Sequence, residues 1–232
     1  GNQNGRLTGN LDGLLSVDQV GQPTLDGPWG RKEDDKPAGL PGADKDGSGR
    51  TDGKARPAGP GLLLAGSCSQ MTRRQIAYAQ SHGIPSLQII PQKLLDGSQT
   101  PEDLWHFIRS HKDQTVLIYS SDSPEHVKAV QQSGKERIAQ LLEQTAAQLA
   151  CKAVEEGYTR ILVAGGETSG AVTKALKFDS YMIGESVAPG VPVMIPQNRP
   201  ELRLVLKSGN FGQEDFFLKA LEITANCRIP LY

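Results

Sequence analysis

The pattern of apolar and polar positions changes abruptly near residue 61. Beyond that point, short aliphatic or β-branched runs alternate with longer segments in which apolar residues recur every three or four positions. The short runs predict buried strands, and the longer segments predict helices with one face on a core. The predicted strands are Leu62–Ala65, Ser86–Ile90, Thr115–Tyr119, Arg160–Ala164, Tyr181–Ile183 and Leu202–Leu206.

The predicted helices fill the intervals between these strands. The longest carries an apolar stripe from Ile138 to Val154 and ends at Gly157. The others are Gln70–His82, with Ser69 or Thr72 as N-cap, Pro101–Arg109, a helix from about Glu125, Ser169–Lys177 and Gln213–Ile223. Parallel strands need crossover connections, so this alternation favours an α/β fold with a mostly parallel sheet flanked by helices. Val187–Pro192 is predicted to be a stiff turn.

The first 60 residues have a different composition. Residues 1–27 carry scattered leucines and valines and form an uncertain N-terminal segment, whereas residues 28–60 consist mainly of Gly, Pro and charged residues of both signs. Such a stretch buries too little apolar surface to offset its ordering entropy, so we expect a disordered or loop-like linker before an α/β domain at 61–232. A nucleic-acid-binding tail is the alternative, which the interspersed acidic residues disfavour.

Charge and cysteine content exclude several classes of protein. The formal net charge of −1 gives no support for a nucleic-acid or membrane partner. No apolar run approaches the roughly 20 residues that span a bilayer, and Gly1-Asn-Gln-Asn is unlike a signal peptide. The three cysteines, Cys68, Cys151 and Cys227, are odd in number and lack metal-ligand spacing. We therefore expect a cytoplasmic protein without a disulfide framework, and Cys68 is interpreted as a small buried residue.

Three predicted strands are each followed by a turn of small residues and then a helix. These turns are Gly66–Ser69, Gly165–Gly170 and Lys207–Gly212. In a parallel sheet they converge at the carboxyl edge, where ligands bind. Their glycines, hydroxyls and lysine suit a polyphosphate, which accepts hydrogen bonds from backbone N–H groups and hydroxyls. The candidate binding residues are Ser67, Ser69, Gly165, Gly166, Glu167, Thr168, Ser169, Gly170, Lys207, Ser208, Gly209 and Asn210.

Two of these residues have alternative interpretations, and so does the Gly-Gly turn itself. Glu167 would hold Mg²⁺ through water, bind a ribose hydroxyl or stabilise a helix N-terminus. Lys207 is either a mobile point charge for phosphate or a solvated loop lysine. The turn before Ser169 is also explained by a strand-to-helix connection with a Thr168 or Ser169 cap and no ligand. Neither a P-loop sequence nor a Gly-x-Ser-x-Gly nucleophile elbow occurs.

Four ordered motifs resemble those of a known enzyme family. They are Gly66-Ser-Cys-Ser-Gln-Met-Thr72, Ala164-Gly-Gly-Glu-Thr-Ser-Gly-Ala171, Ile183-Gly-Glu with Ala188-Pro-Gly-Val-Pro192, and Leu206-Lys-Ser-Gly-Asn-Phe-Gly-Gln-Glu-Asp-Phe-Phe217. Together they resemble the C-terminal nucleotide-binding domain of the four-carbon acid sugar kinases, over about residues 61–223. The resemblance implies phosphorylation of 3-oxo-tetronate, threonate or erythronate by ATP with Mg²⁺. It also implies that Ser67 or Ser69, Gly165–Gly170 and Gly209 contact ATP.

One part of the family pattern has no counterpart in this sequence. Such kinases carry an N-terminal domain that holds the sugar acid, with an Asp-Asp-x-Thr-Gly motif supplying the catalytic base. Here Asp34-Asp35 runs into Lys-Pro-Ala-Gly. We therefore expect the catalytic residues in a missing N-terminal domain and an isolated chain that is inactive, with the metal ligands unassigned. A non-catalytic nucleotide-binding regulatory or interaction module is the alternative, and assembly into a homo-oligomer is left open.

Overall fold

The computed structural model describes residues 59–120 and 135–227, and the strands of these residues form one sheet of seven. The strands are β1 (Gly61–Ala65), β2 (Ser86–Gln88), β3 (Val116–Tyr119), β4 (Arg160–Ala164), β5 (Tyr181–Ala188), β6 (Val191–Pro196) and β7 (Arg203–Lys207). Their order across the sheet is β2-β3-β1-β4-β7-β6-β5. The five neighbouring strands β2, β3, β1, β4 and β7 are parallel. Beyond them, β6 pairs antiparallel with β7, and β5 pairs antiparallel with β6.

Six helices of the described residues connect and cover this sheet. They are α1 (Gln70–Ser81), α2 (Pro91–Asp96), α3 (Pro101–Ser110), α4 (Lys135–Glu155), α5 (Gly166–Leu176) and α6 (Phe216–Asn226). On one face of the sheet, Ile76 and Ala79 of α1 and Phe216, Phe217 and Ala220 of α6 join a buried core cluster with residues of β1, β4, β6 and β7. The α4 helix contacts α3, α5 and β1, and it covers the opposite face, where the alternate strand residues point.

The predicted α/β class is confirmed, because the long periodic segments became helices and the short apolar runs became mostly parallel strands. The central strands are apolar along their whole length since both faces are covered by helices. Every residue of β1 and β4 is buried. Arg160, the first residue of β4, is buried. Hydrogen bonds compensate for its burial, because its guanidinium donates to the carbonyls of Gly59 and Leu221.

The prediction for Tyr181–Pro192 is wrong in its boundaries. The strand predicted at Tyr181–Ile183 extends over eight residues as β5. Most of the stiff turn predicted at Val187–Pro192 belongs to β5 and β6, and only the residues between these strands form the tip of a hairpin. Pro192 lies inside β6, opposite Ser186, where the pairing register of the hairpin shifts. A residue without an N–H is tolerated at such an irregularity, so the proline did not end the strand.

Other boundaries differ by a few residues. The β2 strand ends at Gln88 because Pro91 begins α2, a helix that the periodicity did not predict. The last helix begins at Phe216 and not at Gln213. The uncertain segment at 1–27, the linker up to residue 58 and the helix expected from about Glu125 lie outside the described residues. In the two described ranges, no helix combines the length and the apolar character needed to cross a membrane.

Candidate nucleotide site at the carboxyl edge of the sheet

The three small-residue turns meet at one edge of the sheet. Their strands β1, β4 and β7 are parallel neighbours, so their carboxyl ends lie side by side. Hydrogen bonds from Gly66 N and Ser67 N reach the carbonyl of Ala164 at 2.9 and 3.1 Å. Gly165 N donates to the carbonyl of Lys207 at 2.9 Å. This convergence is the one predicted from the topology, at the kind of edge where open α/β sheets bind ligands.

Close packing accounts for three of the glycines at this edge. A Cβ on Gly66 would collide with the hydroxyl of Thr168, and a Cβ on Gly209 would lie 2.5 Å from Ser67 Oγ. Gly165 has φ 134°, a backbone conformation that favours glycine. Contacts between the turns thus favour glycine at 66 and 209, and the backbone conformation favours it at 165, whether or not a ligand is bound.

Gly166 differs from those glycines. It is the first residue of α5, and a Cβ placed on it would meet nothing within 4 Å. Packing does not require a glycine there. Glycine inside a helix also costs about 0.5–1 kcal/mol relative to alanine. The bare backbone at this position instead leaves space in front of the first turn of the helix.

The first turn of α5 corrects the prediction for Gly165–Gly170. The helix begins at Gly166, so most of the expected loop is helical, and its N-cap is Gly165 without a side-chain hydrogen bond. Ser169 N already donates to Gly165 O, so the amides of residues 166–168 precede the first intrahelical hydrogen bond. Neither Thr168 nor Ser169 caps the helix. Glu167 is exposed in the first turn, where the positive end of the helix dipole favours a carboxylate.

The predicted cap of α1 is confirmed as Ser69. Its hydroxyl accepts a hydrogen bond from Thr72 N at 3.1 Å and lies 2.7 Å from the carbonyl oxygen of Gly209. Thr72 is fully buried, and its hydroxyl donates to the same carbonyl at 2.9 Å. The N-terminus of α1 is thus joined to the turn after β7. Cys68, between these residues, is exposed, so the interpretation of it as a buried residue is wrong.

Lys207 is neither mobile nor solvated, which corrects both interpretations of it. Its side chain is only 1% exposed. The ammonium donates to Thr72 Oγ1 at 3.1 Å and to the carbonyls of Ser208 and Gly209 at 3.3 and 2.9 Å. It also lies 5.6 Å from the ring centre of Phe216. Burial disfavours the charged form and lowers the pKa of Lys207 to about 8.

The carbonyl of Gly209 therefore faces three polar groups: the Ser69 and Thr72 hydroxyls and the Lys207 ammonium. In a trans peptide the next N–H points opposite to the carbonyl, so the amide of Asn210 is directed away from this cluster. Ser208 and Asn210 are exposed. The arrangement thus directs the amide of Asn210 away from the buried cluster, at an exposed residue where an anion can accept from it.

Two residues of this edge were missed as site residues. Thr72 was assigned only as an alternative cap, and Gln75 was not singled out. Gln75 is fully buried, and its amide donates to the carbonyls of Phe211 and Gln213 at 3.0 and 2.8 Å. The available signal was two polar residues on the face of α1 that also carries the apolar Ile76 and Ala79. Among the described residues, no group of three metal-ligating side chains is present.

Comparison with known proteins identifies the family of this chain. Residues 62–217, which hold the α/β sheet and its glycine-rich edge, match the family model described as "Nucleotide-binding C-terminal domain". The chain belongs to this family, and its resemblance to the four-carbon acid sugar kinases is confirmed.

The similar proteins are longer than the matched region. A 3-oxo-tetronate kinase of Cupriavidus necator is 45% identical over 175 residues, which cover 74% of this chain and 40% of that protein. One from Brucella melitensis is 43% identical over 165 residues, with 70% and 37% covered. A crystal structure of a Haemophilus influenzae protein superimposes with a TM-score of 0.68 at 33% identity, covering 72% of this chain and 41% of that one. The match thus spans about 40% of the length of these relatives.

Proposed function

We propose that this chain is the ATP-binding part of a kinase that phosphorylates four-carbon sugar acids of the 3-oxo-tetronate, threonate or erythronate class. The observation that carries the proposal is the first turn of α5, which has three amides without intrahelical acceptors and open space in front of Gly166. The kinase names of its relatives support the same assignment.

The residues at the edge fit the phosphates of ATP. The amides of residues 166–168 and of Asn210 are the proposed donors, because backbone N–H groups at a helix N-terminus and in a tight turn bind phosphate oxygens. Lys207 is proposed to act indirectly, by holding Gly209 against α1, since its ammonium is buried among protein oxygens. Bound ATP supplies the phosphoryl group for transfer.

Mg²⁺ is proposed to bind together with the nucleotide. This ion usually keeps several waters and binds to phosphates plus one or two carboxylates, so a site without a three-residue metal cluster is compatible with it. Glu167 is the proposed carboxylate because it is exposed in the first turn of α5. The acceptor site and the catalytic base are proposed to lie outside residues 59–120 and 135–227.

Calorimetry on the 232-residue chain tests nucleotide binding. We expect Mg²⁺·ATP and Mg²⁺·ADP to bind weakly but measurably, because the described edge supplies only one wall of a complete kinase site. An absence of heat of binding at millimolar nucleotide would overturn the proposal.

A complementation assay tests the kinase assignment. The chain is mixed with the N-terminal domain of a 3-oxo-tetronate kinase relative, and phosphoryl transfer to the three sugar acids is measured. Transfer in the mixture but not with either part alone supports the proposal. Nucleotide binding without transfer in any mixture would instead favour the non-catalytic regulatory or interaction module.

A further inference from the structure

An open cleft lies beside the proposed phosphate site. It has a volume of about 440 Å³ and is lined on one side by Val187, Ala188 and Pro189 and on the other by residues 210–213 with Phe216. Asp215 and Lys219 complete its lining. Asn210 belongs both to this cleft and to the β7 turn, so the cleft adjoins one of the three turns of the proposed phosphate site.

The sheet topology places the cleft at the same edge. The β6 strand is antiparallel to β7, with Val193 opposite Val205. The first residues of β6 therefore lie beside the carboxyl end of β7, where Lys207 is. The hairpin tip at Pro189 therefore lies at the carboxyl edge. It is two strand positions away from β4, or about 10 Å at the usual spacing of neighbouring strands. This separation suits a ligand with phosphates at one end and a flat ring at the other.

Phe211 is held at the mouth of this cleft by its backbone. Phe211 N donates to Ser208 O, and the buried amide of Gln75 donates to Phe211 O. The residue is nevertheless 45% exposed. On one side it lies against Gly190, where a Cβ would be 3.2 Å from Phe211 Cε1. A large, partly exposed aromatic ring on a fixed backbone is a stacking surface for another flat ring.

We infer that this cleft binds the base of the nucleotide, with Phe211 stacking on it and the phosphates extending past Asn210 to the first turn of α5. This inference rests on the proposed function and adds to it the location of the base. Stacking on a side chain does not require one hydrogen-bonding pattern, so Phe211 contributes affinity for nucleotides as a class. The phosphate contacts are separate from it.

The test compares two ligands that share phosphates but differ in the base. Calorimetry with Mg²⁺·ATP and with inorganic tripolyphosphate and Mg²⁺ is carried out on the full chain and on the variants Phe211→Ala and Phe211→Tyr. Loss of a stacking ring lowers affinity by roughly 5- to 160-fold. We expect Phe211→Ala to weaken ATP by about tenfold or more and to leave tripolyphosphate unchanged, whereas Phe211→Tyr retains ATP affinity.

The matched control is Leu95→Ala, which removes another exposed large apolar side chain, on α2. It is expected to leave both affinities unchanged. Equal ATP affinity of Phe211→Ala and wild type overturns the base subsite and leaves the proposed function standing. An equal loss of ATP and tripolyphosphate also overturns it, because Phe211 would then act through the turn. If the wild-type chain does not bind ATP, both the proposed function and this inference fail.

Discussion

The ammonium of Lys207 lies 3.1 Å from the hydroxyl oxygen of Thr72, although 135 residues separate them in the sequence. Both groups also contact the carbonyl of Gly209. This relationship joins the end of β7 to the first turn of α1 beneath the proposed phosphate site. No carboxylate of the described residues is paired with Lys207. Within the described ranges, the charge is therefore surrounded by neutral oxygens and the ring of Phe216.

Replacement of Lys207 by methionine should change how stability depends on pH. The pKa of Lys207 is lowered from 10.5 to about 8 in the folded chain, so between these values the unfolded chain holds more protons than the native one. The free energy of unfolding of the wild type therefore rises with pH across this window relative to Lys207→Met. Urea unfolding at pH 7 and pH 10 measures the difference between the two proteins.

The control for this prediction is Lys174→Met, at an exposed lysine in the last turn of α5. It should keep the pH dependence of the wild type. If Lys207→Met and the wild type changed in parallel between the two pH values, the ammonium of Lys207 would not be buried as the structure has it.

Gly66→Ala should destabilise the chain by about 1–3 kcal/mol, the usual range for overpacking. The added methyl would collide with the hydroxyl of Thr168, which forces β1 and α5 apart. Thr168→Ala removes that oxygen and should recover part of the loss in the double variant. A double-mutant cycle by urea unfolding measures the coupling.

The matched control for that cycle is Gly166→Ala, because the same methyl at this position meets nothing within 4 Å. Its free energy of unfolding should be equal to or above that of the wild type. Additive effects of Gly66→Ala and Thr168→Ala would argue against the direct contact.

Gly166→Val should lower ATP affinity by tenfold or more without lowering the melting temperature. A Cβ at this position meets nothing within 4 Å, so we expect the larger side chain to leave the packing intact and to cover the amides of the first turn of α5. Calorimetry and thermal unfolding are measured on the same protein. Ala77→Val, at an exposed position inside α1, is the control. Normal ATP binding by Gly166→Val would show that this turn is only structural.

Arg160→Leu should cost about 1.5–3 kcal/mol of stability, the range for hydrogen bonds made by charged groups. The buried guanidinium donates to the carbonyls of Gly59 and Leu221, and leucine leaves these acceptors without their donor. The contrasting variant is Arg74→Ala, whose ion pair with Glu214 is 54% exposed on both sides. Exposed pairs of this kind contribute little, so its free energy of unfolding should change by less than about 0.5 kcal/mol. Equal costs by urea unfolding would contradict the structure.

Much of the fold was predictable because it depends on local patterns. The stripe from Ile138 to Val154 and the apolar run of β4 each specify an element through periodicity alone. The hairpin of β5 and β6 was not predictable in this way. Pro192 locally favours a turn, and only its pairing with the opposite strand makes it part of β6. The site was predictable as a set of three turns, since the topology of a parallel sheet places them at one edge.

The sequence by itself determined the fold class, the family and the three turns that meet at the carboxyl edge, because hydrophobic period and ordered motifs are properties of the chain. Only the tertiary structure decided what individual side chains do there. It buried Lys207, placed Gly166 at the start of a helix and left Phe211 exposed. Burial and hydrogen bonding depend on residues distant in the sequence, such as Thr72 for Lys207 and Gln75 for Phe211, and no local pattern records those partners.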